Sequence, residues 1–482
     1  MSKSLRTVFE MYVFAYVFLF SSRPVTDPDF WFHLKTGEYI NQNGIIPRTE
    51  LFSITHYGKL WVAHGWLSGA IFYSIYSRLG LNFLIFLFAI LSALAFWITL
   101  KRSNSHPFIG GLATVLGIWA VLPTIGVRPR VFTMLLASVF LALLNRYARQ
   151  GEGRAVWWLV PLMGLWANLH GGFWIGLGLI ILTIIGIPLD AWATGVQMRS
   201  LWPRLRTLGL VLFGCLLAPL LNPYGHRLYT FTLGVLLSPV FQGAVTDWLS
   251  PDFHESQVLP LALLILLTIA VLVFSPKRPR PSELLLFLAT LYATLKAQRN
   301  LTIFVLVAVP LLADYLQSWL ASTSFGKPLG KAPSSTSSRG AILLSMLLLL
   351  PLAVFVLKLK STIYAAPTQE MTSLPVKAVE YLKEKQITGN TFTYPNIWGG
   401  YVLWALPSNP VYIDGRDVYA EDFVKEYLEV ITGLRDWRGP FNHYGVQVVI
   451  VTTKSVLARE LKDSSDWHEV FRDNLAVVFR RR

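Results

Sequence analysis

Asp27 and Asp29 stand two positions apart around Pro28, with Phe30, Trp31, Phe32, His33 and Lys35 close behind. They follow directly on an apolar run, Val8 to Phe20. Pro28 restricts the backbone between the acids, and the aromatic side chains suit the headgroup layer of a membrane. A carboxylate at that depth meets a lower dielectric than water, so its charge is costly unless paired or used. One acid can act as general base and take the proton of an attacking hydroxyl. Alternatively the pair can hold a divalent cation, Mg²⁺ or Mn²⁺, against a phosphate. His33 is then a third ligand or a proton carrier, and interfacial packing accounts for it equally well.

Further polar residues punctuate the apolar chain. "GVRPR" supplies Arg128 and Arg130, and "WANLHGGF" supplies Asn168 and His170 beside a glycine pair. "LNPYGHRLY" gives Asn222 and Tyr224, "VTDWLSPDF" gives Asp247, and "LKAQRN" gives Arg299. A guanidinium grips phosphate at two points. For one arginine alone, a headgroup contact or snorkelling is the simpler account. The functional reading rests on several such groups meeting at one membrane face. Acids plus arginines there fit a phosphorylated lipid substrate and transfer of a group to an acceptor hydroxyl or amine.

The elements that must position these residues are membrane helices. Of 482 residues, 54% are hydrophobic and only 14% charged, against about 25% in an ordinary soluble protein. The formal net charge of +15 is explained by basic residues on the cytoplasmic side, and no nucleic-acid motif accompanies it. The single cysteine, Cys215, permits no intrachain disulfide. Lys3 and Arg6 ahead of the first apolar run resemble a signal peptide, but no small-x-small cleavage site follows, so the run is read as an uncleaved span.

Spans are expected near 5–22, 81–100, 108–126, 131–148, 156–170, 172–194, 207–221, 257–275, 283–296, 301–320 and 340–358. The segment 66–80 is short enough to lie in the interface. With 66–80 not spanning and the N-terminus inside, Lys101, Arg102, Arg146, Arg149, Arg199, Arg204, Lys277 and Arg278 all fall in cytoplasmic loops. Residues 321–339, rich in Ser, Gly and Pro, read as a flexible cytoplasmic loop. Residues 359–482 have soluble composition. There Ser373 could cap a helix near 374–385, and "NTFTY", "PVYID", "VQVVIV" and "LAVVFR" read as strands of a mostly parallel sheet. The expected architecture is an α-helical polytopic bundle (1–358, first outer loop 23–80) followed by an external, periplasmic α/β domain (359–482). In that domain, Asp414 and Arg416 of "YIDGRDVY" are either ligand contacts at a strand's end or an internal salt bridge.

This order of segments resembles the GT-C superfamily of integral-membrane glycosyltransferases. The stretches that carry the likeness include "DPDFWFHLKTGEYI", "GIIPRTELFSIT", "WVAHGWLS", "GVRPRVFT", "WANLHGGF", "LNPYG", "AQRNLTIFVLVAVP" and "NIWGGYVLWALP" with "VYIDGRDVY". Lys35, close behind the two acids, and His64 are further candidate substrate contacts. The resemblance implies a polyprenyl-phosphate-linked sugar donor, a glycan, lipid or protein acceptor, and a place in the plasma (inner) membrane. It also implies a catalytic acid in the first outer loop, and makes 66–80 a helix lying flat on the membrane. Relatives often carry a glutamate before the tryptophan of "WVAHGWLS"; here that position is Gly65. The departure lends weight to a non-catalytic scaffold of envelope glycan assembly. A lipid or glycan transporter is the other alternative. It predicts charges at mid-membrane depth, whereas the expected spans carry few, with Glu10 and Asp314 toward helix ends.

Overall fold

A computed structural model describes residues 3–25, 27–151, 153–244, 246–323, 357 and 373–482. The expected span at 340–358 and the loop at 321–339 lie, apart from residues 321–323 and 357, outside the described residues. The helices are α1 (Lys3–Ser21), α2 (Asp29–Asn43), α3 (Trp66–Arg102), α4 (Pro107–Val121), α5 (Arg130–Gln150), α6 (Leu159–Leu169) and α7 (Phe173–Thr194). They continue with α8 (Trp202–Leu217), α9 (Arg227–Leu237), α10 (Pro239–Ala244), α11 (Leu259–Phe274), α12 (Pro281–Lys296) and α13 (Leu301–Ser322). The C-terminal part holds α14 (Val376–Glu384), β1 (Thr391–Tyr394), α15 (Trp398–Ala405), α16 (Glu421–Thr432), α17 (Arg438–His443), β2 (Val448–Thr452), α18 (Val456–Lys462), β3 (Trp467–Arg472) and β4 (Ala476–Arg481).

Among the described residues, seven helical segments are long and apolar enough to cross a membrane. α1, α6 and α12 occupy three more of the expected spans. The segment 66–80 is helical and runs into the next span through Gly80, whose φ of 78° and ψ of 175° break the helix. Few residues but glycine take that conformation.

The chain divides into two compact units. The first gathers the described residues of Met1–Arg23, Ile85–Leu221 and Val245–Thr362. Its centre is α13, where every residue from Leu301 to Ala313 is buried. A helix apolar all round belongs inside a bundle, and α4, α11 and α12 pack around it. On α11, by contrast, Leu259, Leu263, Leu266, Leu267, Ile269, Val273 and Phe274 are exposed. So large an apolar surface suits hydrocarbon, not water. Glu10 and Asp314, expected toward helix ends, lie inside α1 and α13, and like Asp190 they have internal partners. Glu10 pairs with Lys101, Asp314 accepts from Ser103 Oγ at 2.6 Å and Asn104 N at 2.8 Å, and Asp190 caps α12 through Ser282 N at 2.8 Å.

The second unit holds Ile363–Arg482 in its described part and, beyond the division expected at 358/359, also takes in Pro24–Leu84 and Asn222–Ala244. The physical ties are specific: Tyr224 Oη donates to Pro47 O at 2.6 Å, and Ile54 N donates to Val411 O at 2.9 Å. The sheet runs β1-β2-β4-β3. Only β1 and β2 are parallel; β4 pairs antiparallel with both β2 and β3, which corrects the mostly parallel expectation. "PVYID" forms isolated bridges from Val411 to Ser53 and Thr391, not a strand, because its Asp414 end turns into an internal ion cluster. β3 takes the fourth place; its exposed His468, Glu469 and Arg472 mark an edge strand. Ser373 is not the cap of α14, whose N-cap is Pro375; the Ser373 carbonyl accepts from Trp398 Nε1 at 3.0 Å.

α2 and the start of α3 meet backbone to backbone. A Cβ on Gly37 would lie 1.9 Å from the Gly69 carbonyl oxygen. Gly37→Ala is therefore expected to cost about 3 kcal/mol, the upper range for overpacking, since no side chain can rotate aside. Thermal melting in detergent checks this, and an unchanged Tm would contradict the contact.

Candidate functional site

In the second unit, Asp27 and Asp29 are half-buried at the start of α2. Asp29 N donates to Asp27 Oδ1 at 3.1 Å, so Asp27 closes the turn that launches the helix. Asp29, in the first turn, also meets the favourable end of the helix dipole. Four residues on, His33 projects from the same face. It packs against Phe32 and Phe72, with ring centroids 4.3 and 6.0 Å away. Burial, with smaller contributions from His64 and Arg416, lowers its pKa to about 3. The imidazole is thus neutral through the physiological range and can accept a hydrogen bond or ligate, but brings no proton to donate as imidazolium.

Several other predicted contacts of this unit are engaged internally. Lys35 pairs with Glu38 at 2.7 Å. Asn222 accepts from Tyr224 N at 3.1 Å. Burial pushes the Tyr224 hydroxyl up to about 12, so it stays a donor to Pro47. The His64 ring lies 5.8 Å from that of Phe231.

Asp414 and Arg416 take the internal salt-bridge form, with a partner that sequence reasoning missed. Arg416 Nη1 and Nη2 donate to Glu50 at 2.6 and 2.9 Å. Its Nε and Nη2 donate to Asp414 at 2.9 and 2.6 Å. All three side chains are buried. Glu50 Oε1 also accepts from Phe52 N and Ser53 N, both at 2.7 Å. The guanidinium lies over the Trp61 ring, 4.7 Å from its centroid. The available signal was one acid, Glu50, inside the apolar stretch "TELFSIT": a buried charge needs a partner.

In the first unit the structure assembles Arg128, Arg130, Asp247 and Arg299. Arg130 Nη2 forms an ion pair with Asp247 Oδ2. Arg299 lies over the Trp248 ring, 3.9 Å from its centroid. Burial alone would raise the Asp247 carboxyl. Arg130, by charge and hydrogen bond, then Arg128 and Arg299, outweigh it and hold the carboxyl below its usual range. Three guanidiniums around one carboxylate leave a surplus of positive charge. Among the described residues, Arg130 Nη1 is buried with no hydrogen-bond partner, a costly state for a cation. Arg23 adds a fourth guanidinium, its pKa lowered by burial and by Arg128.

Asn168 and His170 build the turn between α6 and α7. Asn168 Nδ2 donates to Gly164 O at 2.8 Å. His170 Nδ1 accepts from Gly172 N at 3.0 Å, which leaves its hydrogen on Nε2. Thr133 Oγ1 contacts the same nitrogen at 2.8 Å and accepts from Trp166 Nε1 at 2.8 Å. Among the described residues, no group of three or more His, Cys, Asp and Glu side chains is placed to hold a metal ion.

The fold is the GT-C fold. No protein-family model matches the chain, and no curated protein matches it in sequence; solved structures do. The archaeal oligosaccharyltransferase AglB from Archaeoglobus fulgidus, solved with an inhibitory peptide and a dolichol-phosphate, superposes with a TM-score of 0.56 at 14% identity. That match covers 92% of this chain and 69% of AglB. ArnT from Cupriavidus metallidurans in the apo state gives 0.55 at 15% identity, over 99% of this chain and 98% of ArnT. The mycobacterial arabinofuranosyltransferase AftD gives 0.53 at 14%, over all of this chain but 40% of AftD.

Proposed function

We propose that this chain is a glycosyltransferase that moves a sugar from a polyprenyl-phosphate-linked donor to an acceptor at the outer face of the plasma membrane. The observation that carries the reading is the arginine cluster, in which Arg130 Nη1 is a buried donor with no acceptor among the described residues. A phosphate oxygen would satisfy it and balance the surplus charge. The GT-C fold supports the same substrate class, since AglB is described with a dolichol-phosphate.

In this mechanism Asp29 is the general base, with Asp27 holding its turn. An acceptor hydroxyl passes its proton to the carboxylate as its oxygen bonds to the anomeric carbon. The bond from that carbon to the phosphate oxygen breaks, and polyprenyl phosphate leaves with the electron pair. Guanidiniums suit the charge that grows on such a leaving group, and Arg128, Arg130 and Arg299 are the candidates of the first unit for it. For a divalent cation the protein offers the two carboxylates of Asp27 and Asp29, and among the described residues no third His, Cys, Asp or Glu side chain is placed to join them. That is the donor set Mg²⁺ accepts when substrate phosphates and water complete its shell. Bound there, the ion would neutralise phosphate charge. Asp414 and Arg416, paired with each other and, through Arg416, with Glu50, hold the loop and leave acceptor contact to other residues of the C-terminal domain.

The test is mass spectrometry of lipid-linked sugars and surface glycans in a deletion strain rescued with wild type, Asp27→Asn or Asp29→Asn at matched protein levels. Build-up of a polyprenyl-phosphate sugar and loss of one glycan residue, with failed rescue by Asp29→Asn, is the expected result. Full rescue by both variants would favour the non-catalytic scaffold instead.

A further inference from the structure

Two sequence motifs are not absorbed by this mechanism, "NIWGG" and "DGR", and both close on the start of α2. A Cβ on Gly415 would lie 2.5 Å from Asp29 Oδ1. A Cβ on Gly400 would lie 3.4 Å from Pro28 O and 3.5 Å from Phe32 N. Between the motifs, a Cβ on Gly399 would lie 2.2 Å from Ile413 O and 3.0 Å from Asp414 Cβ. The carboxylate of Asp29 therefore rests against a bare turn of the C-terminal chain, nearly 400 residues away in sequence. That turn is anchored from behind. Asp414 and Arg416 flank Gly415, and Arg416 donates to both Asp414 and Glu50. Arg416 N donates to Asp414 Oδ1 at 2.9 Å, and Asp414 N donates to Tyr419 Oη at 3.1 Å.

We infer that Gly415 is a positioning residue for Asp29: the ion-locked Asp414–Arg416 turn sets where the reactive carboxylate stands. This rests on the reading of Asp29 as the base, and adds that the C-terminal domain completes the catalytic geometry. A methyl group at position 415 cannot coexist with the carboxylate where it now lies. Displacement of about 1 Å costs on the order of 100-fold in rate, with little effect on donor binding, which falls to other residues.

The experiment compares Gly415→Ala with wild type and with Gly439→Ala, a helical glycine with nothing within 4 Å of its Cβ position. Two quantities are read on purified full-length protein. The first is kcat and KM with a polyprenyl-phosphate sugar. The second is the pH of half-maximal carbodiimide coupling at Asp29, followed by peptide mass spectrometry. Gly415→Ala is expected to lower kcat by on the order of 100-fold, to leave the donor KM within about twofold, and to move the coupling midpoint; Gly439→Ala should do none of these. An unmoved midpoint with wild-type kcat overturns the inference. If wild type transfers no sugar, the proposed function falls, while a moved midpoint still upholds the positioning. Should Gly415→Ala not fold, Tyr419→Phe decides: it removes only the oxygen that Asp414 N–H reaches. It is expected to move the midpoint in the same sense, and an unmoved midpoint overturns the inference.

Discussion

Asp29→Asn is expected to lower the rate of sugar transfer by 10²–10⁴-fold, roughly the range ascribed to a positioned general base. The substitution is close to isosteric. It keeps the backbone N–H that Asp29 gives to Asp27 Oδ1, so α2 still starts where it does, and the loss reports charge and basicity rather than fold. Asp27→Asn should cost less. Its side-chain oxygen still accepts that N–H, and what disappears is a negative charge beside the reacting centre. His33 cannot substitute as an acid, because its pKa of about 3 leaves it neutral. The pH profile of kcat is accordingly expected to lack a limb near the ordinary histidine value of about 6.5. Single-turnover transfer from a polyprenyl-phosphate sugar, measured for both variants from pH 5 to 9, checks all three points. Equal activity of Asp29→Asn and wild type would end the general-base assignment.

The parts legible in the sequence were those set by local pattern. Apolar runs gave most of the helices, and α13 could be read as a span because every residue of its first three turns is apolar or small. "NTFTY", "VQVVIV" and "LAVVFR" gave three of four strands for the same reason. β3 escaped because an edge strand carries polar residues on its open side, and "WHEVFR" lacks a run of apolar residues. "PVYID" misled because it has strand composition, yet most of its partners are tertiary bridges and an ion cluster. Asp29, Arg128, Arg130 and Arg299 were visible by residue type and position. What no local pattern carries is which of two candidate partners a charge takes. Arg416 was readable as either ligand contact or salt bridge, and the choice depends on Glu50, 366 positions away. The glycines at 399, 400 and 415 likewise gain meaning only from what would strike their absent side chains.

Arg416→Met should destabilise the second unit by about 3–5 kcal/mol, the cost of stranding a buried charge. The arginine is surrounded: Glu50 on one side, Asp414 on the other, and the Trp61 and Phe52 rings against its plane. Burial works against its charge, but Asp414 first and then Glu50 hold its pKa well above the ordinary arginine value, so it stays charged at every working pH. Methionine fills similar volume and keeps the ring contacts while removing the charge. Two carboxylates then face each other out of water, where repulsion adds to desolvation. Acidifying the sample neutralises one of them, so the deficit of the variant should shrink as pH falls. This trend separates charge from packing, because a cavity would cost the same at pH 5 and pH 8. Adding Glu50→Leu to Arg416→Met removes one stranded acid and should recover part of the loss, although Phe52 N and Ser53 N then lose their acceptor. Thermal unfolding in detergent, followed by limited proteolysis of the C-terminal residues, measures each variant at both pH values. A melting temperature for Arg416→Met equal to wild type at pH 8 would mean that water reaches the cluster and that its charges are not buried.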